Sequence, residues 1–252
     1  MGARSSPFEA AGATHPGRRR AANEDAFAML PEIGLFMVAD GVAQKAAGDV
    51  AAAMAVDLVA RYLRGDATLP TGVPGDDQDP LALFVAAVKR ANERIFHTGQ
   101  RRDDRRGMAT TFAGVQVGAG RVRIVHAGDS RVYRLRGGML EPMTEDHSFA
   151  NAMIAGGMPE AEALALPRAP MLTRALGVGE SVEVSARLES AAPGDVLLVC
   201  TDGLHGVVAA AEIAGILLDA SDPQAAVERL VGRANEQGGP DNVTAVLVRW
   251  TQ

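Results

Sequence analysis

The sequence predicts an α+β fold in which antiparallel sheets carry their helices on the outer faces. Two patterns lead there. Strand-like segments come in hairpin groups joined by glycine turns, and helical segments come in pairs, so strand and helix do not alternate regularly. The chain is also long enough, at 252 residues with 47% in the hydrophobic set, to bury a substantial core as one large domain or two small ones.

The elements follow in order. Ile33 to Ala39 is a short apolar run that ends in Asp40-Gly41, the mark of a strand meeting a turn. Ala46 to Leu63 is alanine-rich, with Val50, Met54, Leu58 and Leu63 near helical spacing. Leu69 to Asp79 is rich in Pro, Gly and Asp and reads as a surface loop. Pro80 to His97 returns to helical spacing through Leu81, Phe84, Val88, Ala91 and Ile95. Thr110 to Val117 and Arg121 to His126 form a hairpin around Gly118-Ala119-Gly120, and Arg131 to Arg136 ends in a second hairpin signal, Gly137-Gly138. Val182 to Leu188 alternates, and Asp195 to Cys200 is a continuous apolar run that ends in Thr201-Asp202-Gly203. Two helices, Ala209 to Leu218 and Asp222 to Gln237, precede a last strand from Val243 to Trp250.

Composition excludes several classes. A net charge of −6 argues against a basic nucleic-acid footprint. No apolar run approaches the roughly 18 residues that span a bilayer, and the N-terminus carries Arg18-Arg19-Arg20 with no apolar stretch of a secretory signal. A soluble cytoplasmic monomer is expected. The one cysteine, Cys200, lies in an apolar run and reads as a buried core thiol.

The chemistry is expected where apolar runs stop. Asp40, Asp202 and Asp241 each stand at a strand tip, and Glu24-Asp25 lies ahead of the first strands. One Asp-Gly is an ordinary turn. Four such sites brought together would place several carboxylates in a small volume, where like charges raise each other's pKa unless cations neutralise them. Hard oxygen ligands suit Mg²⁺ or Mn²⁺. Two such ions about 3.5–4 Å apart lower the pKa of a bridging water and clamp a phosphoryl oxygen. Arg20, four residues before Glu24, is a candidate to hold phosphate bidentately.

Seven short stretches resemble the protein phosphatase 2C family in its bacterial form. They are Gly17 to Asp25, Val38 to Gly41, Gly107 to Thr111, Ala127 to Arg131, Leu172 to Gly177, Cys200 to Leu204 and Gly238 to Thr244. Each is weak alone, but they run in the family's order along nearly the whole chain. The resemblance implies a four-layer αββα sandwich, two antiparallel β-sheets flanked by pairs of helices, as a single phosphatase domain over 1–252. It implies a flap at about 147–174 beside the site and a surface loop at about 66–79. It implies hydrolysis of phosphoserine and phosphothreonine on proteins, opposing a serine/threonine kinase, with two Mn²⁺ or Mg²⁺ ions. Asp40 would bridge the ions. Glu24 and the Gly41 carbonyl would serve one, and Asp202 and Asp241 the other. Arg20 would grip the substrate phosphate, Asp25 would stand behind the ligands, and Asn242 would orient the Asp241 loop.

The chain departs from the family pattern twice. The run after Asp40-Gly41 is Val42-Ala43-Gln44-Lys45, where bacterial relatives have Met-Gly-Gly-His and animal ones a histidine directly after the glycine. Leaving-group protonation is then expected from water or from another residue; His126 and His147 are candidates, though both are read first as structural. Gly206 stands where relatives carry an aspartate that, with the match of Asp129, holds a third ion. That third site is expected to be weak or absent; His205 is an alternative ligand there but is read first as exposed beside its turn. The alternative that these departures raise is a pseudophosphatase that binds phosphoproteins as a regulator.

Overall fold

The computed structural model describes residues 8–42, 47–66 and 79–251. The loop expected at about 66–79 and the altered residues 43–45 thus lie outside the described residues, apart from the loop's two ends. Among the described residues, ten strands form two five-stranded sheets. One sheet has the order β1 (Phe8–His15), β10 (Val243–Trp250), β9 (Val196–Cys200), β6 (Arg131–Arg136), β7 (Met139–Pro142). The other has the order β2 (Asp25–Leu30), β3 (Leu35–Asp40), β4 (Phe112–Gly118), β5 (Arg121–Ala127), β8 (Ser185–Ser190). Every pairing is antiparallel.

The two-residue period of the strands explains their unbroken apolar runs. In β3, Leu35, Met37 and Ala39 face the helix pair α1 (Gly48–Leu63) and α2 (Pro80–Arg101), while Phe36 and Val38 face the other sheet. In β10, Val243, Ala245 and Leu247 face α6 (Ala210–Asp219) and α7 (Pro223–Glu236), while Val246 and Val248 face inward. Both faces are covered, so both must be apolar. Cys200 packs on the helix side of β9, fully buried as expected.

Both glycine hairpins form, with Ala119, Gly120, Gly137 and Gly138 at positive φ. Three strands escaped the sequence reading. β1 is rich in small residues because Gly12 lies against the Phe27 ring, where a Cβ would come within 2.6 Å. β2 opens on the polar Asp25, and β7 is four residues long with no buried side chain. The strand expected from Val182 lies at Ser185–Ser190, because Val182 and Val184 turn into the helix-side core instead of joining the ladder. Residues 147–174 carry two short helices, α3 (Phe149–Ala155) and α4 (Glu160–Leu164), with their own small core of Ala150, Ala163 and Ala169. The short α5 (Asp202–His205) follows β9 directly.

Candidate metal centre

The antiparallel pairing places the acidic residues at one end of both sheets. Asp25 and Asp40 are direct partners across β2 and β3. Asp202 follows β9, Asp241 precedes β10, and Asp129 lies between β5 and β6. Arg20, Glu24, Asp40, Gly41, Asp129 and Asp202 all line one cleft of about 1040 Å³, together with Asp241 and Asn242. Asp25 lies behind it.

Close backbone approaches hold these loops together. Gly17, at a φ of 80°, leaves no room for a side chain: a Cβ would come within 2.2 Å of the Asp241 carbonyl oxygen. The Arg18 amide donates to the Gly239 carbonyl at 2.8 Å. Asn242 is the fastener between the two loops. Its Nδ2 donates to the carbonyls of Pro16 (2.9 Å) and Ala22 (2.8 Å), and its Oδ1 accepts from the Glu24 amide at 2.8 Å. Asp40 is braced by the two residues before β4: Thr110 Oγ1 donates to its carbonyl at 2.8 Å, and Thr111 Oγ1 accepts from its amide at 3.0 Å.

Asp25 Oδ2 accepts from Thr201 Oγ1 (2.9 Å) and Thr244 Oγ1 (2.6 Å), so one carboxylate ties β2 to β9 and β10. These threonines were missed from sequence; the signal available was a hydroxyl at the end of each otherwise apolar strand. Arg20 Nη2 donates to Asp241 Oδ2 at 2.7 Å, which leaves the rest of an exposed guanidinium facing the cleft.

Charge is crowded here. Burial, followed by the charges of Asp25 and Asp202, holds the Asp40 carboxyl well above the usual carboxylate range. Burial and Asp241 raise Asp202. Burial pushes Asp25 up to about 7, against the pull of its two threonine hydroxyls. Asp129 also rises to about 7, through burial and then the charges of Asp202 and Asp146. Buried carboxyls this close cannot all ionise unless cations neutralise them.

The donor set fits a hard divalent cation. Its side-chain donors are carboxylate oxygens, and the buried Oδ1 atoms of Asp25 and Asp202 have no hydrogen-bond partner. Among the described residues, no three acidic, histidine or cysteine side chains converge tightly enough to chelate one ion alone. An ion held by one or two carboxylates keeps several waters, which is the habit of Mg²⁺.

The histidines stand outside the cleft lining. His126 and His147 stack with centroids 4.5 Å apart. His126 Nε2 donates to the Glu145 carbonyl at 2.9 Å. His147 Nδ1 accepts from the Gly128 amide at 3.1 Å, which leaves its Nε2–H to donate to Ser185 Oγ at 2.9 Å. Burial, then His126 and Arg174, pushes His147 down to about 4. Both are thus bonded within the fold, away from the cleft lining. His205 corrects its expectation: it is half-buried, not exposed, and its Nε2 donates to the Asp129 carbonyl at 2.9 Å. That bond braces the Asp129 turn on α5, where Gly206 provides no carboxylate. Met153 and Met158 pack on the small core of residues 147–174.

The sequence pattern of the family described as Protein phosphatase 2C matches residues 11–250. The chain is 32% identical over 239 residues, 93% of each chain, to "Serine/threonine phosphatase stp" of Listeria innocua serovar 6a. Its structure is similar to the catalytic domain of the serine/threonine protein phosphatase PstP in complex with two manganese ions, with a TM-score of 0.81 and 31% identity over 97% of this chain and 99% of that one. It is also similar to PppA, a key regulatory component of T6SS in Pseudomonas aeruginosa, with a TM-score of 0.78 and 34% identity over 96% and 97%.

Proposed function

Because the chain belongs to the protein phosphatase 2C family, we propose that it hydrolyses phosphoserine and phosphothreonine on proteins in the cleft at the sheet ends. The observation that carries this is the meeting of Asp40, Asp202, Asp241 and Arg20 in one cleft, with carboxyl oxygens left unpaired. Glu24, the Gly41 carbonyl and Asp40 would serve one Mn²⁺ or Mg²⁺, and Asp40, Asp202 and Asp241 would stand around the other, with waters completing each ion's coordination because no three of these side chains converge on one point. Such ions, when bound, supply an activated water and neutralise developing phosphoryl charge.

The chain's own residues do the rest. Arg20 uses one N–H on Asp241 and offers the others to phosphate oxygens. Asp25, fixed by Thr201 and Thr244, presents its free Oδ1 behind Asp40. Asn242 keeps Glu24 and Asp241 in register. With no histidine lining the cleft, the leaving hydroxyl takes its proton from solvent. Asp129 stands at the edge without the partner that Gly206 would have to provide, so a third ion there binds weakly. A non-catalytic reading has little in its favour, since each carboxylate expected to hold an ion is present and faces the cleft.

The test is turnover of an aryl phosphate and of phosphothreonine peptides with and without Mn²⁺. Metal-dependent cleavage of both is expected, with Asp40→Ala slower by about a thousandfold or more. No metal-dependent turnover of either substrate would end the proposal.

A further inference from the structure

Building on the phosphatase reading above, we propose that the part of the cleft wall formed by residues 170–182 is a subsite for an aliphatic side chain of the protein substrate, beside the phosphorylated residue. Exposed apolar side chains scattered singly over a surface are ordinary. Here Met171 (49% exposed), Val178 (71%) and Val42 (36%) all line the same cleft, with Pro170 and Val182 beside them. Clustered exposed apolar surface marks a place that is covered in use.

The backbone beneath this wall is pinned. The Met171 amide donates to the Arg168 carbonyl at 2.9 Å, and its carbonyl accepts from the Phe149 amide at 2.8 Å. Thr110 and Leu176 exchange hydrogen bonds of 3.0 and 2.8 Å. Asn92, fully buried in α2, directs its whole amide at the next turn: Oδ1 accepts from the Gly177 amide at 2.8 Å, and Nδ2 donates to the carbonyls of Gly179 and Glu180 at 3.0 Å each. A buried side chain thus uses three hydrogen bonds to hold steady a loop whose tip is an exposed valine. An apolar contact held in place before binding loses little ordering entropy when filled.

The wall is also electrically quiet. From residues 170 to 183, the charged lining side chains are Arg174 and Glu183, and they pair at 3.0 Å. It therefore selects by apolar contact, not by charge. Its occupant is the substrate, because the wall is continuous with the proposed phosphate site and that cleft must stay open for turnover.

The experiment uses the full chain with Mn²⁺. It measures kcat/KM for phosphothreonine peptides carrying Leu, Ser or Asp at each flanking position, with an aryl phosphate as the small reference. Leu at one flanking position is expected to exceed Ser by about tenfold, and Val178→Asp and Met171→Asp should bring that ratio close to one. Val178→Ser, a gentler change at an exposed position, should lower the ratio in the same direction. Turnover with no Leu preference at any position, or a preference unchanged in all three variants, overturns the subsite alone. No turnover even of the aryl phosphate overturns the phosphatase reading and the subsite with it.

Discussion

Arg20 is placed to serve both the structure and the proposed substrate. It neutralises Asp241 through a 2.7 Å contact, yet its side chain stays half exposed at the cleft. Arg20→Ala is expected to raise KM for phosphopeptides about ten- to a hundredfold, the worth of a charge-assisted hydrogen bond of about 1.5–3 kcal/mol, with a smaller effect on kcat. Steady-state kinetics on one peptide checks this, and an unchanged KM would count against the role. Asp40 and Asp202 were legible because an aspartate next to glycine, at the end of an apolar run, marks a position where a chain turns and exposes a carboxylate, and Asp241 because it stands just before the last apolar run. Thr201 and Thr244 were not, because threonine is also a good strand former. Only the fold shows that their hydroxyls converge on Asp25.

At the scale of elements, the tight spots are where loops meet. Gly203 in α5 lies against the loop before β10, and a Cβ there would come within 1.8 Å of the Asn242 carbonyl oxygen. Gly203→Ala must push that loop away, and with it Asp241 from Asp202. Overpacking of this kind costs about 1–3 kcal/mol, so a lower Tm is expected along with weaker Mn²⁺ activation. Melting and metal titration of the variant would show both, and a variant with native Tm and metal response would contradict the packing argument. Most helices and the central strands were legible because burial on both faces leaves long apolar signals. The edge elements were not: β1 trades side-chain bulk for the Phe27 ring, and β7 and most of β8 face solvent.

Across the whole molecule, the buried carboxyls set how stability depends on pH. Asp25 and Asp129 ordinarily titrate near 3.8, but in the folded chain near 7. Between those values the folded state keeps protons that the unfolded chain has released. For EDTA-treated protein, this contribution is full below the lower value and is lost as pH rises through the upper one. Its Tm is expected to fall from about pH 5 to about pH 8, and Mn²⁺ should raise Tm most at the alkaline end, where it replaces those protons. A flat or rising Tm over that range would contradict it. The carboxylates themselves come from both layers: Asp40 from the sheet that carries α1 and α2, Asp202 and Asp241 from the sheet that carries α6 and α7. The proposed metal centre is thus a seam sewn through two fabrics. Any slip of one sheet over the other would open the stitches before it disturbed either weave, so turnover should register misalignment of the sandwich well before the protein unfolds.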